Sequence, residues 1–125
     1  MKKLTVFITA LSIALGVSAQ VKESDYYEII NYPASDDTGL TLEICSMTML
    51  LDGNLMVGTR LGDIFYVENA YDPGKAKFTE FAHGLNHPLG MVEFEGAIYL
   101  AQRGELTRLR DTNGDHKADE FETVC

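Results

Sequence analysis

From Leu40 onward, apolar and polar residues alternate in short runs, and each run closes on a cluster of Gly, Asp, Asn or Pro. Alternation of period two is the mark of a strand with one face toward a core, and Gly/Asp/Pro clusters are the turns between such strands. The pattern predicts strands over 42–51, 54–59, 63–67, 77–81, 89–94, 97–102, 105–110 and 118–124. Asp52-Gly53, Gly62, Pro73-Gly74, Glu95-Gly96 and Gly104 mark the turns. An earlier β-branched and aromatic stretch, 25–32, predicts a further strand stopped by Pro33. No segment after residue 20 shows a helical period of 3.6.

The passage repeats. Residues 53–60, GNLMVGTR, align with 96–103, GAIYLAQR, at an offset of 43, and 62–67 align with 104–109 at 42. Met49 and Met91 correspond at 42 as well. Four short strands in a period of about 40–45 residues is the signature of a β-propeller blade. The expected fold is therefore all-β, a β-propeller of which about two four-stranded blades are present. The blades span 40–82 and 83–125, after an N-terminal segment 20–39 with a possible ring-closing strand. A four-stranded meander would explain the alternation without the repeat, and a sandwich gives no reason for matched turns. Two blades cannot close a ring, so the chain is expected to be the N-terminal part of a longer protein, inactive by itself.

Composition narrows the setting. Lys2 and Lys3, the apolar run 4–16 and the small residues before Gln20 form an export signal cleaved after Ala19. The expected location is periplasmic or extracellular, with no transmembrane segment beyond the signal. Cleavage would leave 106 residues with 8 basic and 19 acidic side chains, a formal charge of −11. That balance disfavours nucleic acid or an anionic membrane as partner and suits cation binding. Two cysteines make no disulfide framework. Cys45, within an apolar strand pattern, is expected to be a small buried residue.

The densest polar stretch follows the strand 105–110. Asp111, Asn113, Asp115, Asp119 and Glu122 fall at positions 1, 3, 5, 9 and 12 of a calcium loop, with Lys117 supplying a backbone carbonyl at position 7. A hard cation takes six to eight oxygens, which a tightly curled loop can converge from one short segment. The alternative is an Asx-rich hairpin turn without metal. His116 stands where the sharp turn usually takes Gly. Strand alternation puts this loop and the 95–96 turn at one end of the sheets. Arg60 and Arg103, in equivalent turns, and His83, Asn86 and His87, on the connection, fall at the other. Arg60, Asn86 and Arg103 are candidates to face a ligand, and His83 and His87 are weak candidates for a general base. The alternatives are ion pairs with carboxylates of a neighbouring blade for the arginines, and loop residues bonded to backbone for the histidines. No zinc spacing, phosphate loop, serine nucleophile motif or haem-attachment motif is present.

The runs AQRGELTRLRDTNGD at 101–115 and ADEFETV at 118–124 resemble secreted bacterial propellers of the glucose/sorbosone dehydrogenase-like group, some labelled membrane-bound dehydrogenases. DYYEII at 25–30 and LLDGNLMVGTR at 50–60 are similar to that group's N-terminal region. The resemblance implies a six-bladed ring, structural calcium, and a pyrroloquinoline quinone cofactor serving the oxidation of a sugar or alcohol substrate. Asn113 and His116 depart from the group's usual Asp-Gly-Asp-Gly loop. A non-catalytic, calcium-stabilised propeller that binds a glycan or a protein is the other reading, and in both the remaining blades are partners of this piece.

Overall fold

The computed structural model describes residues 22–32, 38–39 and 42–125. The export signal read over 1–19 lies outside the described residues. Among the described residues, eight strands form two four-stranded antiparallel sheets in simple up-and-down order. The first contains β1 (Ile44–Met49), β2 (Leu55–Thr59), β3 (Ile64–Glu68) and β4 (Lys77–Ala82). The second contains β5 (Gly90–Phe94), β6 (Ala97–Gln102), β7 (Glu105–Arg110) and β8 (Glu120–Thr123). Each element falls within a residue or two of its expected position, because the alternation that defines a strand also fixes its buried face.

Two expectations fail, and one alignment shifts. Residues 25–32 are not a strand: a 3-10 turn, Glu23–Asp25, is followed by non-strand chain with Tyr26, Tyr27, Ile29 and Ile30 exposed. Strand propensity forms a strand only where a neighbouring edge completes the ladder, and no described strand pairs with this segment. Cys45 is exposed rather than buried, because it is the extra residue of the bulge between Ile44 and Ser46, and its Sγ donates to the Pro88 carbonyl at 2.7 Å. Both thiols are free. Met91 pairs with Leu100, whereas Met47 pairs with Val57, so Met91 is the counterpart of Met47 and not of Met49. The offset moves because the β1–β2 hairpin is one residue longer than the β5–β6 hairpin.

The main core lies between the sheets. Met56, Ile64, Tyr66, Phe81 and Ala82 of the first meet Ile98, Leu100 and Leu109 of the second. Leu100 and Leu109 are wholly buried, each stabilising the fold by about 2 kcal/mol relative to exposure. Gly58 permits the close approach: a Cβ there would stand 2.4 Å from Ser46 Oγ and 3.1 Å from the Met91 methyl. The backbones of the two sheets approach within 8 Å between Cα atoms at the first strands, β1 and β5.

The faces repeat as the sequence does. On the second sheet, Ile98, Leu100 and Leu109 look at the first. Their repeat positions on the first sheet, Leu55, Val57 and Val67, form its opposite face with Phe65 and Phe78. Conversely, Met56, Gly58, Ile64 and Tyr66 repeat as Tyr99, Ala101, Leu106 and Arg108 on the far face of the second sheet. That far face is open. Val92 and Phe94 are 55% and 56% exposed, and an apolar trough of roughly 530 Å³ runs between them, Tyr99, Ala101 and Leu106.

Candidate functional site

Strand order separates two polar ends. Arg103 precedes β7 and Asp111 follows it, so the basic turn and the acidic loop stand a strand's length apart.

At the first end the β2–β3 turn, the connection 83–89 and the β6–β7 turn come together. Leu85 N–H donates to the Gly62 carbonyl at 3.0 Å, and Arg103 N–H to the Asn86 carbonyl at 2.8 Å. The same backbone bond joins Arg60 N–H to Glu43 at 2.8 Å, so the pairs 43/60 and 86/103 are equivalent. In the first pair Arg60 Nε donates to Glu43 at 2.5 Å. Hydrogen bonding and charge from Arg60 hold the Glu43 carboxyl below its ordinary range and raise the Arg60 guanidinium in return. Arg60 is thus paired, with a carboxylate of the segment entering its own sheet rather than with one from a neighbouring sheet.

In the second pair position 86 is Asn. Its Nδ2 donates to the Arg103 carbonyl at 3.1 Å and its N–H to Gln102 Oε1 at 2.5 Å. The Arg103 guanidinium makes no ion pair among the described residues. Beneath it, Gln102 Nε2 reaches Glu105 at 2.8 Å and Thr107 Oγ1 at 2.6 Å. Thr107 donates to one Glu105 oxygen at 2.6 Å, and Thr123 to the other at 3.1 Å. The bonds from Thr107 and Thr123, then that from Gln102, outweigh desolvation and keep Glu105 below the ordinary carboxylate range. Gly84, Asn86, Gln102, Arg103, Gly104 and Glu105 enclose a cleft of roughly 380 Å³. Asn86 and Arg103 are brought together as the strand order requires, and the Gln102–Glu105–Thr107 network was not legible beforehand. His83 and His87 do not line this cleft: the His83 ring lies 3.1 Å from Glu80, and His87 takes a left-handed backbone at φ 50°.

At the opposite end the acidic loop is a chain of Asx turns. Asp111 accepts N–H bonds from Asn113 (3.2 Å), Gly114 (2.7 Å) and His116 (2.8 Å). Asn113 then accepts from Asp115, and Asp115 from Lys117, both at 2.9 Å. Partial burial pushes Asp111 up, but the N–H donors of Gly114, His116, Asn113 and Asp115 outweigh it and leave the carboxyl below its usual range. Asp119 accepts from Thr112 N–H at 3.1 Å and its hydroxyl at 2.8 Å. Glu122 lies on β8 and pairs with Arg108 across the ladder.

His116, in the position that favours Gly, adopts φ 62° and lays its ring on Tyr66 of the other sheet, 4.3 Å between centroids at 9°. Tyr66 OH donates to Asp52 at 2.7 Å and Asn54 Nδ2 to Tyr66 OH at 2.7 Å, while Ala118 N–H reaches the Phe81 carbonyl at 2.7 Å. The loop therefore bridges the sheets as well as closing a hairpin. The signal for this contact was the His standing where the loop usually has Gly.

Among the described residues no three His, Cys, Asp or Glu side chains converge as a metal cage. The donor chemistry of Asp111, Asn113, Asp115, Asp119 and the Lys117 carbonyl is that of a hard-cation loop, with the Asp111, Asn113 and Asp115 side-chain oxygens here accepting backbone N–H bonds. The cleft at the other end fits the quinone less well, since Arg103 is the only cation among its lining residues and that cofactor is a tricarboxylate. Comparison of the chain with family models, curated proteins and solved structures finds no match.

Proposed function

We propose that the two sheets are consecutive blades of an exported β-propeller that binds a carbohydrate-type ligand at the Arg103 end and is pinned by calcium at the opposite end. The observation that carries this reading is the equivalence of faces. The open face of the second sheet repeats the face by which the first sheet packs on the second, so a third sheet of the same kind fits it. The approach of the sheets at β1 and β5 also suits blades fanning from a hub. Further blades of the same kind complete the ring.

The test uses the full-length protein with Val92→Cys in a background lacking Cys45 and Cys125. Slow alkylation at 92 is expected because the next blade covers it. Labelling as fast as that of a free thiol sinks the reading. Calcium should raise the melting temperature, and Asp111→Ala should remove that increment while leaving ligand binding unchanged. A calcium response that survives in Asp111→Ala overturns the loop's role.

Oxidation of a sugar or alcohol with pyrroloquinoline quinone is the reading that the resemblance supplies. The quinone would provide a two-electron acceptor, Arg103 would meet one of its carboxylates, and His83 or His87 would serve as base. The binding reading is favoured by the cleft itself, which gathers Asn86 and Arg103 but neither histidine. Full-length protein titrated with quinone and calcium, followed by dye reduction with aldoses, separates the two: turnover establishes the oxidoreductase, and ligand binding without turnover establishes the binding protein.

A further inference from the structure

The equivalent pairs 43/60 and 86/103 differ by one exchange with a chemical consequence. Where the first sheet has Glu43 to neutralise Arg60, the second has Asn86, which spends its amide donor on the Arg103 carbonyl. The nearest carboxylate lining the same cleft, Glu105, has both oxygens engaged by Gln102, Thr107 and Thr123. Among the described residues Arg103 is therefore left as an unpaired cation on the wall of a roughly 380 Å³ cleft. A Cβ added at Gly84 or Gly104 would meet nothing within 4 Å, so the rim is open. Asn86 Oδ1 makes no hydrogen bond among the described residues and can accept one from a ligand hydroxyl.

We propose that this cleft is a subsite for a carboxylated carbohydrate, a uronate, with the sugar carboxylate on the Arg103 guanidinium and a neighbouring hydroxyl on Asn86 Oδ1. A planar guanidinium meets a carboxylate with two parallel N–H bonds, which makes carboxylate the best match to an unpaired arginine. A neutral sugar would leave that cation unmet, and a small anion would leave the amide acceptor unmet. Net charge of −9 repels anions at long range, so recognition depends on these local contacts. The inference rests on the proposed function in taking this end as the ligand-facing one and the ligand as a carbohydrate.

The experiment is calorimetric titration of the full-length protein with sodium glucuronate, glucose and sodium acetate at low ionic strength. Glucuronate is expected to bind at least about tenfold more tightly than either of the others. Arg103→Gln should weaken it by about tenfold or more, whereas Arg60→Gln should not. Asn86→Glu is the sharper variant, because it rebuilds the Glu43–Arg60 pair in the second sheet and should extinguish binding with Arg103 still in place. No glucuronate binding, equal binding of acetate, or full binding by Asn86→Glu overturns the proposal. None of these outcomes alters labelling at Val92→Cys, so the blade reading stands or falls separately.

Discussion

Gly62 and Gly104 occupy the same turn of the two sheets with the same backbone, φ 103° and 104°, and yet they sit in different surroundings. A Cβ on Gly62 would stand 2.0 Å from the Leu85 carbonyl oxygen, on the connection that leads into the second sheet. One on Gly104 would meet nothing. The same contrast runs through the molecule. The first sheet has Val57, Phe65 and Val67 buried on one face and Met56, Ile64 and Tyr66 on the other, whereas the second leaves Val92 and Phe94 in solvent. The strands of the two sheets obey one pattern. What separates them is which positions have a neighbour.

The largest expected effect follows from that turn. Gly62→Ala meets both the left-handed backbone and a fixed carbonyl, so it should cost more than about 3 kcal/mol or prevent folding. Gly104→Ala meets only the backbone penalty, about 1 kcal/mol. Urea denaturation of the 125-residue chain measures both. In a longer protein with a third blade, a connection should lie over Gly104 as Leu85 lies over Gly62, and the two substitutions should become equally harmful. Equal costs in the 125-residue chain, or a persistent difference in the longer protein, would break the comparison.

A smaller effect tests the two unlike β-hairpin loops at the acidic end, where the first sheet turns through Asp72 and Lys75 and the second extends the loop onto Tyr66. Burial first, then the bond to Asp52 and its charge, push the Tyr66 phenol from 10.0 up to about 12. A group whose folded pKa is raised contributes stability in full below its unfolded value. That contribution, on the order of 2 kcal/mol, is lost as pH rises from about 10 to about 12. The stability difference between the wild type and Tyr66→Phe should shrink over that window, and a difference that stays flat would show that burial and Asp52 together do not raise the phenol. His116→Ala should cost about 1 kcal/mol for the lost stack. His116→Gly should cost less, since Gly relieves the left-handed backbone.

Strand positions were legible because burial imposes a period of two, and the repeat made the assignment redundant: one position of the blade could be read twice, as Ile98 and as Leu55. The separation of Arg103 from Asp111 was legible for the same reason, since they bracket one strand. Residues 25–32 misled because propensity carries no information on whether an edge is there to pair with. Cys45 misled because a bulge inserts it as an extra residue in β1, and an alternating pattern does not show where a ladder skips. The Tyr66–His116 stack and the Gln102–Glu105–Thr107 network join residues that only the fold brings together, and a one-dimensional pattern does not encode which loop reaches across.

The smallest expected effect is also the one that isolates a single exchanged residue. Arg60 and Arg103 are both exposed, and their backbones make the same hydrogen bond, so any difference between Arg60→Gln and Arg103→Gln reports the Glu43 pair alone. Solvent screens that pair, so its loss should lower the melting temperature less than either change above. Its signature is conditional. Glu43 has a depressed pKa, so its contribution is present above the unfolded carboxyl value of 4.5 and is lost as pH falls through the folded one. The Arg60→Gln penalty should therefore fade in acid and in high salt, while Arg103→Gln should show no penalty at any pH. In Asn86→Glu, removing Arg103 should acquire the same acid- and salt-sensitive penalty. If it does not, the two turns are alike only in backbone, and the unpaired state of Arg103 has a cause other than the Glu-to-Asn exchange.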